Sequence, residues 1–170
     1  MADAAKTPIK VRLYRFRNVL KEKTAGSGAG PATIDAAALN AATAALEKMA
    51  EDYPDWVSKN IEELRTLHVR CVDTPADRPR RYAMMREISH DMKGQGGTFG
   101  YPLMTTFASS LYDCTSPRAG TTDDHIEIVK SHIDSMSAVI KDRVKGNGGE
   151  IGKALTQGLK AAIDKHSRLK

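Results

Sequence analysis

Apolar residues recur every three or four positions along most of the chain after residue 34. The most regular series lies in residues 121–145. Similar series cover 34–50, 55–72, 80–99, 101–115 and 150–167. This spacing predicts amphipathic helices, because every third or fourth side chain of a helix lies on the same face. No alternating pattern of comparable length follows residue 30, so the sequence predicts an all-α protein.

Segments rich in proline or glycine separate the predicted helices. They are Tyr53-Pro54-Asp55, Thr74–Pro79, Tyr101-Pro102, Ser116–Gly120 and Gly146–Gly149. Proline and glycine are typical of turns and helix ends, so each segment predicts a break between two helices. Short connections place consecutive helices antiparallel. We therefore expect an antiparallel four-helix bundle over about residues 55–145, with additional amino- and carboxy-terminal helices.

The first 33 residues differ in composition from the rest of the chain. Residues 1–30 hold seven basic and two acidic residues, whereas residues 31–170 hold equal numbers of each. Residues 1–33 therefore predict a basic, partly flexible arm that ends in the glycine-rich linker Ala25–Pro31 and contains a weak strand-like or irregular pattern at Ile9–Phe16. Residues 34–170 predict one helical domain. Its neutral charge disfavours a nucleic-acid-binding body, although the arm could contact an acidic partner or be a solvated tail.

Several classes of protein are disfavoured by what the 170 residues lack. No apolar stretch approaches the roughly 20 residues of a membrane span, and no segment resembles a secretion signal. The two cysteines, Cys71 and Cys114, predict reduced thiols and not a disulfide framework. The histidines lack the spacing of a closed metal site. We therefore expect a cytoplasmic protein with no cofactor of its own.

A single histidine stands out on the predicted helix 80–99. If that helix is continuous, Met85, Met92 and Phe99 share its buried face with Ile88. His90 then lies nearly opposite, in a solvent-facing region with Lys93 and residues that have small side chains or none: Ala83, Gly94 and Gly97.

The glycines of this segment need an explanation. The four between residues 94 and 100 would together destabilise a continuous helix by about 4 kcal/mol relative to alanine. They could allow a partner's backbone to approach the imidazole. Alternatively, the helix ends near Lys93 and residues 94–100 form a loop.

The segment His90-Asp91-Met92-Lys93-Gly94, followed by Phe99 and Gly100, resembles the signature of histidine-containing phosphotransfer (HPt) domains. In that family a histidine is followed by any residue, Leu or Met, Lys and Gly, with a later glycine, in a four-helix bundle. The resemblance covers about 90 residues. It implies that His90 is the phosphoacceptor, that Lys93 lies beside the phosphoryl group, and that Gly94 and Gly100 occupy small or turning positions. The extra glycines Gly96 and Gly97 depart from the pattern.

The chemistry of the residues agrees with this role. A solvated imidazole is mostly neutral at pH 7, so one ring nitrogen is free to attack a phosphoryl group. Counting residues outward from the corner at Tyr101-Pro102 places positions 109–113 beside His90 in an antiparallel pair. Ser109 and Tyr112 are therefore candidates to hydrogen-bond the ring or the phosphate, unless they are ordinary surface residues.

The resemblance implies a phosphocarrier without its own ATP site. Its partners would be response-regulator receiver domains, which would bring magnesium and the acceptor aspartate, and an upstream hybrid histidine kinase. Three alternatives remain open: a dimerisation and phosphotransfer module of a histidine kinase, a helical adaptor without phosphotransfer, and nucleic-acid binding through residues 6–23. The kinase motif continues with Thr-Pro, where this chain has Lys93-Gly94.

Overall fold

Five α-helices and one short 3-10 helix form the described part of the chain. The computed structural model describes Tyr14, Arg17, Val19 and residues 35–167. The helices are α1 (Ala36–Asp73), α2 (Arg78–Gln95), α3 (Pro102–Cys114), α4 (Asp123–Lys141) and α5 (Gly149–Ser167), with the 3-10 helix Pro75–Asp77 before α2. The described residues contain no strand, which confirms the all-α prediction. The predicted arm, its linker and the pattern at Ile9–Phe16 lie outside the described residues, apart from the three named.

The chain divides into two compact units, Met1–Leu39 and Asn40–Lys170. In the first unit, Asp35 precedes α1 and its Oδ1 accepts a hydrogen bond of 3.0 Å from the backbone N–H of Ala37. An aspartate in this position stabilises a helix start by satisfying an otherwise free donor.

The helix break predicted at Tyr53-Pro54-Asp55 is wrong, because α1 continues through Pro54 for 38 residues. Proline removes one backbone hydrogen bond from a helix, which normally destabilises it. Here Tyr53, Pro54 and Val57 are all buried, so their packing in the core outweighs the local preference. Trp56 and Val72, two apolar residues within the predicted helix 55–72, are 43% and 51% exposed. The buried stripe of α1 consists instead of Tyr53, Val57, Ile61, Leu64, Leu67 and Cys71.

The core lies between the helices of the second unit. Helix α3 packs against both α2 and α4, and α5 packs against α4. One buried cluster joins side chains from α1 to α5, including Leu64, Met85, Phe107, Met136 and Leu159. The buried Arg78 ties three segments together: its guanidinium donates to the backbone oxygens of Cys71 at 2.9 Å and Thr121 at 2.6 Å, and to Asp123 Oδ1 at 2.6 Å. The start of α2 is thereby fixed against the end of α1 and the start of α4.

Helix α2 ends earlier than the predicted residue 99. It stops at Gln95, and residues 96–100 form a turn into α3. At Gly96 the two helices come so close that a Cβ atom would lie 2.8 Å from both the backbone nitrogen and Oγ1 of Thr105. Gly100 has a φ of +84°, which L side chains rarely adopt. Only Gly94 among the four glycines is helical, so the expected penalty of about 4 kcal/mol falls to about 1 kcal/mol.

Candidate functional site

His90 lies on the outer face of α2. Met85, Ser89 and Met92 are buried on the inner face of the same helix, and His90 is exposed, which is the orientation that the helical periodicity predicts. Ser89 is accommodated in the core because its hydroxyl donates to the backbone oxygen of Met85 at 2.7 Å. Ile88, also expected on the buried face, is half-buried. The imidazole is therefore presented to solvent by a helix whose opposite side is anchored in the core.

The His90 ring opens into a shallow cleft between α2 and α3. The cleft measures about 400 Å³ and is lined by Ala83, Arg86, Glu87, His90, Asp91 and Tyr112. Tyr112 is the contribution of α3: its ring centroid lies 5.8 Å from that of His90, with the two planes inclined by 45°. Ala83 leaves room beside the imidazole because its side chain is a single methyl group. A group of phosphoryl size can reach the ring from solvent.

Two cations contact the Tyr112 ring. Lys93 Nζ lies 4.6 Å from the ring centroid, and Arg86 Cζ lies 3.5 Å from it. Both distances are within the range of cation–π attraction. Arg86 also donates a hydrogen bond from Nη1 to the backbone oxygen of Tyr112. Arg86 and Lys93, both on α2, therefore place positive charge on the side of His90 that faces α3.

The sequence analysis did not identify Arg86 as a site residue. On a helical wheel with Ile88 at 0°, Arg86 falls at about 160°, between Lys93 at about 140° and His90 at about 200°. Charged residues on a solvent-facing side of a helix are usually solvated, which is why Arg86 gave no reason for attention. The contact of Arg86 with the Tyr112 ring of α3 is what distinguishes it from exposed arginines.

The acidic side chains of the cleft lie on the other side of His90. Glu87 and Asp91 are exposed, and the helical wheel places them away from Arg86 and Lys93. The charge around the imidazole is therefore polarised, with cations toward α3 and carboxylates away from it.

The structure brings together only part of the predicted site. His90, Lys93 and Tyr112 meet as described. Ser109 is half-buried on α3 and does not line the cleft. Gly94 has open space around it, while Gly97 and Gly100 lie in the turn after α2. The backbone N–H of Gly97 donates to Thr105 Oγ1 at 2.9 Å, so this glycine supports the corner between the helices.

Buried hydrogen bonds occupy the imidazole of His132 on α4. His132 is 1% exposed, with Nδ1 at 2.7 Å from the backbone oxygen of Ile128 and Nε2 at 2.8 Å from Ser110 Oγ. Because a carbonyl only accepts, Nδ1 carries the proton and Nε2 accepts from the Ser110 hydroxyl. Both ring nitrogens are thus engaged.

Among the cysteines and the other histidines, Cys114 Sγ lies 3.4 Å from His125 Nε2. Cys71 and Cys114 are free thiols, and burial raises the pKa of Cys114 to about 12, which keeps it protonated and weakly nucleophilic. His125 Nε2 lies 2.8 Å from the backbone oxygen of Cys114. His166 pairs with Asp124 at 3.2 Å. Within the described residues, no three side chains of the metal-binding types are grouped to hold a metal ion.

No family model, curated protein or solved structure matches the chain. Among the helices of the described residues, none combines the length and apolar character needed to cross a membrane.

Proposed function

We propose that this protein is a histidine phosphotransfer protein of a two-component phosphorelay, which carries a phosphoryl group on His90 between the aspartates of receiver domains. The observation that carries the proposal is the exposed His90 imidazole in an open cleft, with Lys93 and Tyr112 beside it. A phosphocarrier needs a nucleophile that a folded partner can reach, and this arrangement provides one.

We propose the corresponding architecture for the helices. The second half of α1 would form an antiparallel four-helix bundle with α2, α3 and α4, and the first half of α1 and α5 would be additions to it. This arrangement is supported by the packing of α3 against both α2 and α4. It is also supported by the hydrogen bond of 2.9 Å from Arg65 Nη2 on α1 to Ser137 Oγ on α4. The bundle would hold His90 on a rigid support.

The proposed transfer is a displacement at phosphorus. The unprotonated ring nitrogen of His90 attacks the phosphorus of the partner's phosphoaspartate. A P–N bond forms, the P–O bond to the aspartate breaks, and the aspartate leaves as a carboxylate. The N–H proton on the other ring nitrogen is then released to water. The reverse sequence loads the next receiver.

Lys93 has an electrostatic role in this scheme. A phosphoryl group adds between one and two negative charges near pH 7. Lys93 is one helical turn from His90, which is close enough to attract that charge. Because the pair is partly exposed, its effect is small, and we expect Lys93 to influence transfer more than stability.

The partners follow from the chemistry. Receiver domains would supply the aspartate together with magnesium, and an upstream hybrid histidine kinase would supply the phosphoryl group from ATP. The protein itself would contribute the nucleophile and the docking surface, in the cytoplasm.

The test is phosphotransfer from a purified receiver. A receiver domain labelled on its aspartate with phosphorus-32 is mixed with the protein and magnesium, and acid-labile label is mapped by peptide mass spectrometry. We expect label on His90, and none in His90→Gln. The matched control is His166→Gln, which changes a histidine in the last turn of α5 and should label normally. Label on another residue, or none with any of several receivers, contradicts the proposal.

The His90→Gln variant also distinguishes a phosphocarrier from a helical adaptor. An adaptor should bind its partners equally well as wild type and as His90→Gln, and neither protein should become labelled. A kinase-type module would accept the phosphoryl group from an ATP-bound kinase domain and not from a phosphorylated receiver. The two donors therefore distinguish it from a phosphocarrier.

A further inference from the structure

We infer that Tyr112 is an aromatic platform that positions Arg86 and Lys93 as a pair of cations around the phosphoryl group on His90. Arg86 is then a second phosphoryl-binding cation, and Tyr112 is a positioning residue that acts through its ring. The inference rests on His90 as the acceptor in the proposed function, but it concerns how the loaded site is held.

Two contacts fix Arg86 on the platform. Its guanidinium stacks at 3.5 Å from the Tyr112 ring centroid, and Nη1 donates to the Tyr112 backbone oxygen. A guanidinium has five N–H donors, of which this bond uses one. The ion pairs between described side chains do not include Arg86 or Lys93, so no carboxylate of these described residues neutralises either cation directly.

The spacing of the two cations suits a group attached to His90. Arg86 precedes the histidine by four residues and Lys93 follows it by three, so all three lie on one side of α2 and the imidazole lies between the cations. Both cations contact one ring on the neighbouring helix. A phosphoryl group on the imidazole would therefore meet positive charge from two directions along the helix.

The carboxylates of the cleft indicate on which side of His90 a phosphoryl group would lie. Glu87 and Asp91 also line it, but both are exposed and lie on the other side of His90. A bound phosphoryl group is expected on the side of Tyr112, where the cations are held, because repulsion from the carboxylates disfavours the opposite side.

The aromatic platform requires an aromatic ring at position 112 but not a hydroxyl group. Cation–π attraction uses the face of an aromatic ring, which phenylalanine also has. Tyr112→Phe should therefore preserve the site, whereas Tyr112→Ala should release both cations. If the Tyr112 hydroxyl instead hydrogen-bonds the phosphate, as the sequence analysis allowed, Tyr112→Phe should be as damaging as Tyr112→Ala.

The test loads His90 without a receiver. Phosphoramidate phosphorylates imidazole directly: the ring nitrogen attacks phosphorus, ammonia leaves as the P–N bond of the reagent breaks, and the ring N–H proton goes to water. The loaded protein is then titrated with pH and followed by phosphorus-31 NMR. Nearby cations favour the less protonated form, so removing one moves the midpoint to higher pH.

We expect the midpoint to rise by about 0.2–0.7 of a pH unit in Arg86→Gln and in Tyr112→Ala. Tyr112→Phe and Arg80→Gln, which changes an exposed arginine outside the cleft on the same helix, should titrate like wild type. Glu87→Gln should move the midpoint in the opposite direction. Circular dichroism verifies that each variant is folded, and a merely structural role of Tyr112 would not produce these opposed shifts.

Three outcomes overturn the inference. One is an unchanged midpoint in folded Arg86→Gln and Tyr112→Ala. Another is an equal shift in Tyr112→Phe and Tyr112→Ala, which assigns the role to the hydroxyl. The third is failure of phosphoramidate to label His90 in the folded protein when it labels the denatured chain. If the expected shifts occur but no receiver exchanges phosphoryl groups with the protein, the proposed function fails and the anion-binding site stands.

Discussion

Histidine lies in opposite environments on the outer face of α2 and on the inner face of α4. On α2, the His90 imidazole is exposed and borders a cleft of about 400 Å³. On α4, the His132 imidazole is 1% exposed: its Nδ1 donates to the backbone oxygen of Ile128 and its Nε2 accepts from the Ser110 hydroxyl. The accessibility of an imidazole in this structure therefore depends on its placement and not on its residue type. One histidine is available for chemistry, whereas the other stabilises the core.

Exchanging each histidine for glutamine gives the largest expected contrast. His90→Gln should abolish phosphotransfer completely while changing the free energy of unfolding by less than about 0.5 kcal/mol, because the side chain is exposed. His132→Gln should keep the label at position 90. Receiver-dependent labelling and urea unfolding measure the two effects. Loss of labelling in a folded His132→Gln protein would show that the two regions are not independent.

Deleting the inner imidazole should be the most destabilising of these changes. His132→Ala removes a fully buried ring and the acceptor of the Ser110 hydroxyl, so we expect a loss of about 2–4 kcal/mol in the free energy of unfolding. Urea titration followed by circular dichroism measures it. Ser110→Ala is the matched control, because it removes only the hydrogen bond and should cost about 1 kcal/mol. A loss below that of the control would contradict the assigned role of His132.

The buried His132 should also make the stability of the protein depend on pH. Burial lowers the pKa of His132 below its ordinary value near 6.5, because the charged ring is poorly solvated in the core. The unfolded chain therefore binds more protons than the folded one below about pH 6.5, and stability falls as the pH falls through that range. Burial lowers the pKa of the half-buried His68 in the same direction.

Urea unfolding between pH 7.5 and pH 5 measures this dependence. We expect a smaller loss of stability toward acid in His132→Gln than in wild type, because glutamine does not titrate. His90→Gln is the control and should retain the slope of wild type. If the free energy of unfolding changes equally with pH in wild type and His132→Gln, His132 does not cause the loss of stability toward acid.

The smallest effect is expected at Lys93. Lys93→Gln should slow transfer from a phosphorylated receiver by about two- to five-fold, which corresponds to the loss of one partly exposed charge interaction. Its stability should change by less than about 0.5 kcal/mol. Single-turnover transfer kinetics measure the rate. Lys145→Gln alters an exposed lysine after α4 and should transfer at the wild-type rate, so an equal decrease in both variants would indicate a nonspecific effect of charge.

The sequence predicts the orientation of α2 well because burial follows from apolar spacing. Met85 and Met92 lie on one side of the helix and are fully buried, and His90 follows from them as exposed. Tyr112 could be predicted because distance from the corner at Tyr101-Pro102 determines what lies opposite in an antiparallel pair. The same count suggested Ser109, which does not line the cleft, because counting sets the level along a helix and not the face.

Features that depend on contacts between helices could not be predicted in this way. Pro54 is a helix breaker by local preference, but burial together with Tyr53 and Val57 keeps α1 continuous. The early end of α2 depends on how closely Thr105 approaches Gly96. Arg86 looks like any solvated arginine until the ring of Tyr112 is placed against it.

The missing side chain at Gly96 lets the end of α2 approach the beginning of α3 closely. An alanine there would meet Thr105 at the foot of α3 and force the two helices apart at their corner. Tyr112 lies seven residues beyond Thr105 along α3, about 10 Å from that contact, so a small tilt at the corner would be magnified at its ring. We therefore expect a side chain at position 96 to change the distance between the Tyr112 and His90 rings.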